Sequence, residues 1–495
     1  MEQSTIRILN AYMPMVEQYK SQFLSLNTLL SKTTLTGKIS SLDIAENLFD
    51  YMEKTQEKFE SLQDELIDTI MEHSFLNGYE EAQVSVNIIV GAIIDILKSS
   101  SRAIPIFAQS SFMVELFQKL SVLHQDSINE KCDIVKELQE PMDLFKQNYP
   151  VYKDVLVVSL SGNILFSFNK DAKQTTRIPA ILEAEKLNTY RDFYQKVDFY
   201  QESLEAQTQE YFFIVPIEDT KKNKLGFVIC VIDFKEILHK IAIDFPYRLS
   251  HANILILDSK NRMLYSDNPK LFPEGQIVSF NTNKDFDFLV SRSKLCLSAF
   301  KELSFGEGYK GPILDWRVYR VIPLSIAFNI KRQSKNNSDI DSSLLEGSLL
   351  ITDDLDSVIA KAESINEDLG DVVINGEIIA SKSHSYALNP ILNNIRILSE
   401  EMNTLCITST AELQEGIYNA LFHVVSYYSR YFIAMVDTLL DNCIKDSLWI
   451  RTNKSFKDLL NGDSSIAKME VDSLMQGFCE YYKVYHNILL FNEKG

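Results

Sequence analysis

The chain alternates between two hydrophobic patterns, and the changes between them outline the fold. In the first 145 residues, and again from Leu344 onward, apolar side chains recur every three or four positions, as at Leu48, Met52 and Phe59. This spacing places them on one stripe and predicts amphipathic helices. In the first region we predict helices near residues 44–70, 82–99, 112–124 and 128–145. Pro105 is expected to bound the second of these helices.

Between residues 150 and 330 the pattern changes to short β-branched and apolar runs separated by polar turns. Such runs predict strands joined in hairpins. We predict strands at residues 155–158, 164–168, 211–217, 225–233, 253–257, 263–266 and 316–323, and short helices at 234–243 and 324–328. Because few crossover helices separate the strands, the sheets should be antiparallel. The fold class is therefore α+β, with long-helix bundles flanking a tandem antiparallel sheet region.

The two helical regions share landmarks in the same order, which indicates an internal duplication. Leu35-Thr36-Gly37-Lys38-Ile39 aligns with Ile374-Asn375-Gly376-Glu377-Ile378, and Ile94-Asp95 aligns with Val436-Asp437. Near the end of each copy, Tyr152-Lys153-Asp154-Val155-Leu156 aligns with Tyr485-His486-Asn487-Ile488-Leu489. We interpret residues 1–162 and about 340–495 as duplicated modules.

These boundaries divide the chain into six parts. They are a helical bundle at 1–145, a first sheet lobe at 146–250, a second lobe at 251–330, a linker at 331–343, a second helical bundle at 344–480, and the start of an incomplete lobe at 481–495. A strand cut off at its hairpin leaves unpaired backbone groups. We therefore expect the native protein to continue past Gly495, the alternative being that the last strand docks elsewhere.

Charge and cysteine content exclude several classes of protein. The 495 residues carry 49 Lys and Arg against 68 Asp and Glu, a net charge of −19. This field repels nucleic acids and anionic membranes, so neither is an expected partner. The six cysteines form no CxxC pair, which favours reduced thiols. Residues 84–97, interrupted by Asn87 and Asp95, are too short and polar to span a bilayer. We expect a cytoplasmic protein.

Five segments give the chain a resemblance to a known family. They are Leu35-Thr36-Gly37-Lys38-Ile39, Thr55-Gln56-Glu57-Lys58-Phe59, Tyr152-Lys153-Asp154-Val155-Leu156, Gly308-Tyr309-Lys310-Gly311-Pro312 and Val372-Val373-Ile374-Asn375-Gly376. With the repeat and the tandem lobes, they make the chain similar to soluble bacterial Cache-domain sensors of the chemotaxis type. The resemblance covers nearly the whole chain and implies PAS-like, Cache-like lobes. A CheW-like adaptor commonly follows such modules, and this sequence lacks one.

The resemblance also implies a ligand site in the first lobe. In amino-acid-binding Cache proteins, an Arg and aromatic residues hold the carboxylate, and an Asp late in the strand run takes the amine. The candidate ligand-binding residues are Tyr190, Arg191, Tyr194, Tyr200, Tyr211 and Asp233. A guanidinium suits a carboxylate and an Asp suits an amine. The alternative is that the tyrosines pack a core and Arg191 with Asp192 forms surface.

Catalysis finds no support in the sequence. There is no GxxxxGK[ST] motif, no GxGxxG that follows a predicted strand, and no GxSxG motif. The seven histidines never occur as HxxxH or HExxH, which argues against a zinc site. We therefore predict no catalytic residues, no metal and no cofactor.

The hypothesis that follows is a non-enzymatic sensory module. It would bind a small molecule, such as an amino acid or organic acid, and transmit the change through its long helices. Chemotaxis-type signalling proteins are the partners implied by the resemblance, and long amphipathic helices suggest a homodimer. The alternative is a helical interaction or scaffold protein with ligand-free lobes. An enzyme with an unrecognised site is the third hypothesis.

Overall fold

Six helices and ten strands are described in the structure, a computed structural model. The described residues are 9–40, 46–108, 111–122, 149–167, 198–205, 208–219, 223–233, 252–258, 260–280, 286–291, 294–303, 316–328, 353–383 and 388–452, with shorter pieces within 143–147, 235–241 and 456–491. The predicted linker at 331–343 and most of the predicted helix at 128–145 lie outside these residues. So do Tyr190, Arg191 and Tyr194.

Two pairs of long helices form a bundle at one end of the molecule. The helices are α1 (Pro14–Ser40), α2 (Glu46–Ala108), α3 (Ser111–Val122), α4 (Leu324–Ala327), α5 (Asp353–Ser383) and α6 (Asn389–Thr452). Their buried apolar stripes build one shared core from α1, α5 and the first halves of α2 and α6. Between the two pairs, Asp368 of α5 accepts hydrogen bonds from Tyr51 Oη at 2.7 Å and Lys58 Nζ at 2.6 Å.

The corresponding helices of the two pairs have similar lengths, but the boundaries of α2 differ from the prediction. Helices α1 and α5 have 27 and 31 residues, and α2 and α6 have 63 and 64. The helices predicted at 44–70 and 82–99 are one helix in the structure, since residues 46–70 and 82–99 both belong to α2. The helix runs on past Pro105, which lies within its last turn. At 1.5 Å per residue, α2 is about 95 Å long, so it extends from the bundle along both sheets.

Two five-stranded antiparallel sheets follow one another in the chain. Sheet 1 contains β1 (Tyr152–Ser159), β2 (Ile164–Ser167), β3 (Asp198–Glu205), β4 (Thr208–Glu218) and β5 (Lys224–Ile232). Sheet 2 contains β6 (Asn253–Leu257), β7 (Met263–Ser266), β8 (Phe286–Ser291), β9 (Lys294–Glu302) and β10 (Arg317–Pro323). The predicted α+β class, with long helices flanking an antiparallel sheet region, is confirmed.

Both sheets have the same strand order. It is β2-β1-β5-β4-β3 in sheet 1 and β7-β6-β10-β9-β8 in sheet 2. All seven predicted strands are present, whereas β3, β8 and β9 had not been predicted. Repetition of one strand order in consecutive segments shows that the lobes share a topology.

Helix α2 supports both sheets on one face, called here the inner face. Val157, Val228 and Cys230 of sheet 1 and Ile256 and Val318 of sheet 2 lie in the same buried cluster as the second half of α2. Alternate side chains therefore point away from the helix and form the outer faces. Because α2 covers both inner faces, the outer faces are the surfaces of the sheets on which a ligand could bind.

The two longest helices approach each other closely at Gly91. A Cβ atom added to Gly91 of α2 would overlap the hydroxyl of Tyr431 on α6. The same hydroxyl donates a hydrogen bond of 2.9 Å to Asp95 Oδ2 one turn further along α2. The absence of a side chain at Gly91 thus allows the contact that fixes this part of α6 on α2.

By length and composition alone, Asn47–Ser100 of α2 would be apolar enough to cross a membrane. This differs from the expectation drawn from residues 84–97, which considered only the most apolar stretch. In the fold, 56% of the tested window is buried inside the protein. The long core helix of a folded domain meets the same criterion.

Candidate functional site

The turn between β1 and β2 matches the turn between β6 and β7. This match identifies which positions of the two sheets are equivalent. The N–H of Ser159 donates to the carbonyl of Asn163 at 2.9 Å, and the N–H of Asp258 donates to that of Arg262 at 3.0 Å. Each turn includes one residue at positive φ, Gly162 at 84° and Asn261 at 59°. Superposing these turns along the sequence aligns Asp154 with Asn253 and Ser167 with Ser266.

The outer face of sheet 2 is filled by the chain's own side chains. Phe272, Val278 and Phe280, from the segment after β7, are buried in one cluster with Tyr319 and Val321. The rings of Phe280 and Tyr319 stack with their centroids 4.0 Å apart. Because these side chains cover the face, sheet 2 is the weaker candidate.

The outer face of sheet 1 combines an apolar floor with a buried carboxylate. The floor is made by six buried residues, Leu156, Val158, Ile214, Phe227, Ile229 and Val231. Asp154 lies opposite Val231 in the ladder and is only 8% exposed. Apolar walls with a few placed polar groups are typical of small-molecule sites.

Hydrogen bonds fix the orientation of the Asp154 carboxylate. Oδ1 accepts the N–H of Val155 at 2.8 Å, and Oδ2 accepts the hydroxyl of Ser167 at 2.8 Å. At the equivalent position sheet 2 has Asn253, also 8% exposed. The two lobes thus differ by one charge at this position.

The neighbouring thiol is unreactive by its surroundings. Burial raises the pKa of Cys230 well above its usual value, and the nearby Asp154 carboxylate raises it further. A thiol of raised pKa carries little thiolate and is a poor nucleophile. Among the described residues no group of three or more His, Cys, Asp or Glu could hold a metal ion.

Three of the predicted ligand residues lie at one end of sheet 1. Tyr200 of β3 is opposite Phe212, and Phe212 is opposite Val231, which faces Asp154. These four residues form one row across the sheet. Tyr211 belongs to the next row, opposite Ile232.

Asp233 directly follows β5 at the same end of the sheet. Its Oδ1 accepts the N–H groups of Lys235 at 3.1 Å and Glu236 at 3.2 Å. These bonds cap the short helix that begins there. Its own N–H donates to the carbonyl of Val151 at 2.8 Å. Asp233 thus stabilises the end of β5, and its role toward a ligand stays a prediction.

Asp154 and Ser167 were not among the predicted site residues. Asp154 appeared only within the segment Tyr152-Lys153-Asp154-Val155-Leu156. A single acid next to the apolar run of β1, matched by Asn253 in the second lobe, is the signal that could have identified it. A buried carboxylate is costly without partners, so an acid at such a position indicates that the fold supplies them.

Comparisons with known proteins were made for the whole chain. No protein-family model matches it, and no curated protein matches it significantly. Among solved structures, it is similar to the ligand-binding domain of the Campylobacter jejuni chemoreceptor Tlp3 in complex with L-valine. That match has 13% identity, covers 52% of this chain and 97% of that chain, and has a TM-score of 0.33.

Two further structures are similar at the same level. The ligand-binding domain of the Pseudomonas aeruginosa PAO1 amino acid chemoreceptor PctC in complex with GABA has 14% identity, covers 48% of this chain and 96% of that chain, and has a TM-score of 0.29. An extracellular ligand binding receptor from Desulfohalobium retbaense DSM5692 has 12% identity and a TM-score of 0.29, with 48% of this chain and 39% of that chain covered. Similarity this low carries no argument about ligand or activity.

Proposed function

We propose that the chain is a non-enzymatic sensory module that binds a small molecule on the outer face of sheet 1. The observation that carries the proposal is the Asp154–Ser167 pair, buried at the end of an apolar floor. The equivalent face of sheet 2 is closed by Phe280 and Tyr319. The lobe of sheet 1 would then bind the ligand, and the lobe of sheet 2 would have a structural role.

The ligand class follows from the charge of the site. An oriented carboxylate favours a ligand with an ammonium or another N–H donor. Arg191 is predicted to hold a carboxylate, and together with Asp154 it would suit an amino acid. An organic acid without an amine would depend on Arg191 alone.

The same proposal includes transmission through the long helices. Tyr427 Oη of α6 donates to Glu81 Oε1 of α2 at 3.2 Å. Arg320 of β10, only 2% exposed, interacts electrostatically with Glu81. Sheet 2, α2 and α6 therefore meet in one buried polar cluster. A ligand would shift these helices only by binding two of their arrangements with different affinity.

Thermal-shift and calorimetric titration with amino acids, organic acids and purines test the binding step. A ligand should raise the melting temperature in a concentration-dependent manner. Asp154→Asn should then weaken an amine ligand about tenfold or more, and Arg191→Ala and Asp233→Ala test the predicted residues. Asn253→Ala, at the equivalent position of sheet 2, should bind like the wild type. The proposal fails if no compound binds or if Asp154→Asn and Asn253→Ala behave alike.

The scaffold alternative also has an observation in its favour. The second half of α6 exposes many large apolar residues, including Phe422 and Phe432. Exposed apolar surface on this scale marks interaction sites. This surface is compatible with a sensor that also has a protein partner.

A further inference from the structure

A buried carboxylate near the end of α6 joins three parts of the chain. Asp446 is only 5% exposed. Its Oδ1 accepts the hydroxyl of Tyr149 at 3.1 Å, and Tyr149 lies just before the first residue of β1. Its Oδ2 accepts the hydroxyl of Tyr485 at 3.1 Å. The entrance to sheet 1 and the segment that begins at Tyr485 are therefore bound to the same side chain of α6.

Both phenols act as hydrogen-bond donors to Asp446. Burial and the Asp446 carboxylate raise the pKa of Tyr149 well above its usual value. Burial, a hydrogen bond with Cys443 and the Asp446 carboxylate raise the pKa of Tyr485. Each hydroxyl thus keeps its proton at neutral pH. Because the two phenols bind different oxygens, they do not compete. A carboxylate held through Oδ1 presents Oδ2 in a fixed direction, so each bond supports the other.

The first copy of the duplicated module has an apolar residue at the position of Asp446. Aligning Ile94-Asp95 with Val436-Asp437 pairs Asp446 with Ile104 of α2, which is fully buried in the core. An apolar side chain is therefore sufficient for packing at this position. Buried charges are weak evidence for a role in stability, whereas a role in specifying or switching an arrangement is better attested. The acid in the second copy thus indicates a role in joining its two phenol partners.

The tyrosine that aligns with Tyr485 makes a simpler contact. Tyr152 Oη donates to the carbonyl of Ser100 in α2 at 2.8 Å. In each copy, this tyrosine is therefore bound to the later part of the long helix. In the first copy the acceptor is a backbone group, whose position the helix fixes. In the second copy the acceptor is a side chain shared with Tyr149, so the bond to Tyr485 depends on a second partner.

The segment of residues 485–491, described except for residue 487, has exposed apolar side chains. Leu489 is 65% exposed and Phe491 is 67% exposed. Burial of these two side chains therefore contributes little to holding the segment. Its attachment to α6 depends accordingly on the contacts of Tyr485 with Asp446 and Cys443.

We propose that Asp446 couples the entrance of sheet 1 to the 485–491 segment, so that the segment stays bound to α6 while Tyr149 is in place. Displacement of Tyr149 would allow the carboxylate to turn and would weaken its bond to Tyr485. Asp154 lies two residues after Tyr152, in the first part of β1, so a ligand there would act on the same entrance. As regulation of the sheet 1 site, the inference rests on the proposed function.

Hydroxyl-radical footprinting of the full chain tests the coupling, with the oxidation rate of Tyr485 measured by mass spectrometry. Tyr149→Phe removes one hydroxyl and should raise the oxidation rate of Tyr485 about threefold or more. Tyr152→Phe is the matched control. It removes a hydroxyl from the same aromatic cluster, but its acceptor is Ser100, so the oxidation rate of Tyr485 should stay at the wild-type value.

Two further measurements separate coupling from general loosening of the fold. Tyr427, bound to Glu81 on the same helix, should be oxidised at the wild-type rate in every variant. Asp446→Asn places an amide nitrogen where one phenol needs an acceptor, so it should expose Tyr485 by itself. Adding Tyr149→Phe to Asp446→Asn should then have no further effect.

Three results would overturn the coupling. They are a Tyr485 that stays protected in Tyr149→Phe, an equal effect of Tyr152→Phe, and an equal rise in oxidation at Tyr427. Independent effects of Tyr149→Phe and Asp446→Asn, which would multiply in the double variant, contradict it as well.

A mixture of the twenty standard amino acids is the probe for the ligand step. If it raises the melting temperature of the wild type, it should also change the oxidation rate of Tyr485 in the wild type but not in Asp446→Asn. A raised melting temperature with unchanged oxidation of Tyr485 overturns the regulation and leaves the proposed function standing. An unchanged melting temperature counts against an amino-acid ligand, and the Tyr149→Phe result then decides the coupling.

Discussion

The ring of Phe49 lies where a side chain on Gly37 would have to be. A Cβ atom built on Gly37, near the end of α1, would overlap that ring at the start of α2. In the second copy, Gly376 of α5 stands in the same relation to Leu392 of α6. The two glycines therefore allow a large apolar residue in the first turn of each long helix to pack against the helix before it.

Substituting these glycines should destabilise the bundle. Phe49 is fully buried and Leu392 is 3% exposed, so neither can move away cheaply. Gly37→Ala and Gly376→Ala should each lower the free energy of unfolding by about 1–3 kcal/mol. Gly370, on α5, has nothing within 4 Å of an added Cβ. Gly370→Ala should therefore stabilise by about 0.5–1 kcal/mol. Chemical denaturation distinguishes the signs, and equal effects at Gly370 and Gly376 would contradict the packing role.

The cover over sheet 2 should be an essential part of its core. Phe280→Ala removes a ring stacked on Tyr319 and should cost about 3–5 kcal/mol in unfolding free energy. Ile277 lies in the same segment but is 70% exposed, so Ile277→Ala should change stability little. Small aromatic molecules should partly restore the melting temperature of Phe280→Ala by filling the cavity. A tolerated Phe280→Ala would show that the outer face of sheet 2 is not closed.

Asp258 should make the first turn of sheet 2 sensitive to acid. Burial by itself would raise its pKa, but bonds from the N–H groups of Arg262 and Lys260 and from the Arg262 guanidinium outweigh burial and lower it. A lowered pKa in the folded state gives stability that is present at neutral pH and lost as pH falls through that pKa. Asp258→Asn should cost about 1–2 kcal/mol near pH 7, and this cost should shrink as pH falls through the lowered pKa.

The equivalent turn of sheet 1 provides the control. Ser159 Oγ accepts the N–H of Asn163 at 3.1 Å, and a hydroxyl does not titrate in this range. The cost of Ser159→Ala should therefore be the same at both ends of the pH series. If the two variants show the same pH dependence, the charge of Asp258 is not the cause.

Glu81 should give the opposite pH dependence. Burial raises its pKa, and the Tyr427 hydrogen bond and Arg320 charge offset this only in part. A raised pKa in the folded state means that the wild type gains stability as pH falls through that pKa. The stability of Glu81→Gln relative to the wild type should thus decline as pH falls from neutral through the raised pKa of Glu81. Melting temperatures measure this, and the exposed Glu80→Gln should show no such trend.

Much of the fold was predictable because its elements carry strong local signals. The β-branched run of β1 and the turn at Gly162 identify a hairpin directly. Strands β3 and β9 were missed because each mixes apolar with charged residues, as in DFYQESLE and KLCLSAFKE. Their pairing comes from neighbouring strands that are distant in sequence. Helix α2 was predicted as two helices, although it continues through residues 71–81 between them, and Pro105 lies in its last turn instead of ending it earlier.

The candidate site was predictable only in part, because it too depends on how the strands pair. Tyr211 and Asp233 lie on strands that hydrophobic runs identify, so their shared end of the sheet could be expected. The Asp154–Ser167 pair depends on the register of β1 with β2, in which Leu156 lies opposite Ser167. No periodicity along the chain records this register. It is set by the hairpin turn, and the buried charge then becomes acceptable through its partners.

The contact between Gly91 and Tyr431 limits how α2 and α6 can move against each other. If α6 moved by one residue along α2, the Tyr431 ring would meet a residue that has a side chain. Its hydrogen bond to Asp95 would also break. The contact at Gly91 therefore resists movement of α6 along the axis of α2. A signal carried by this pair would have to be a tilt or a twist of both helices as one rod, or a jump by a whole turn.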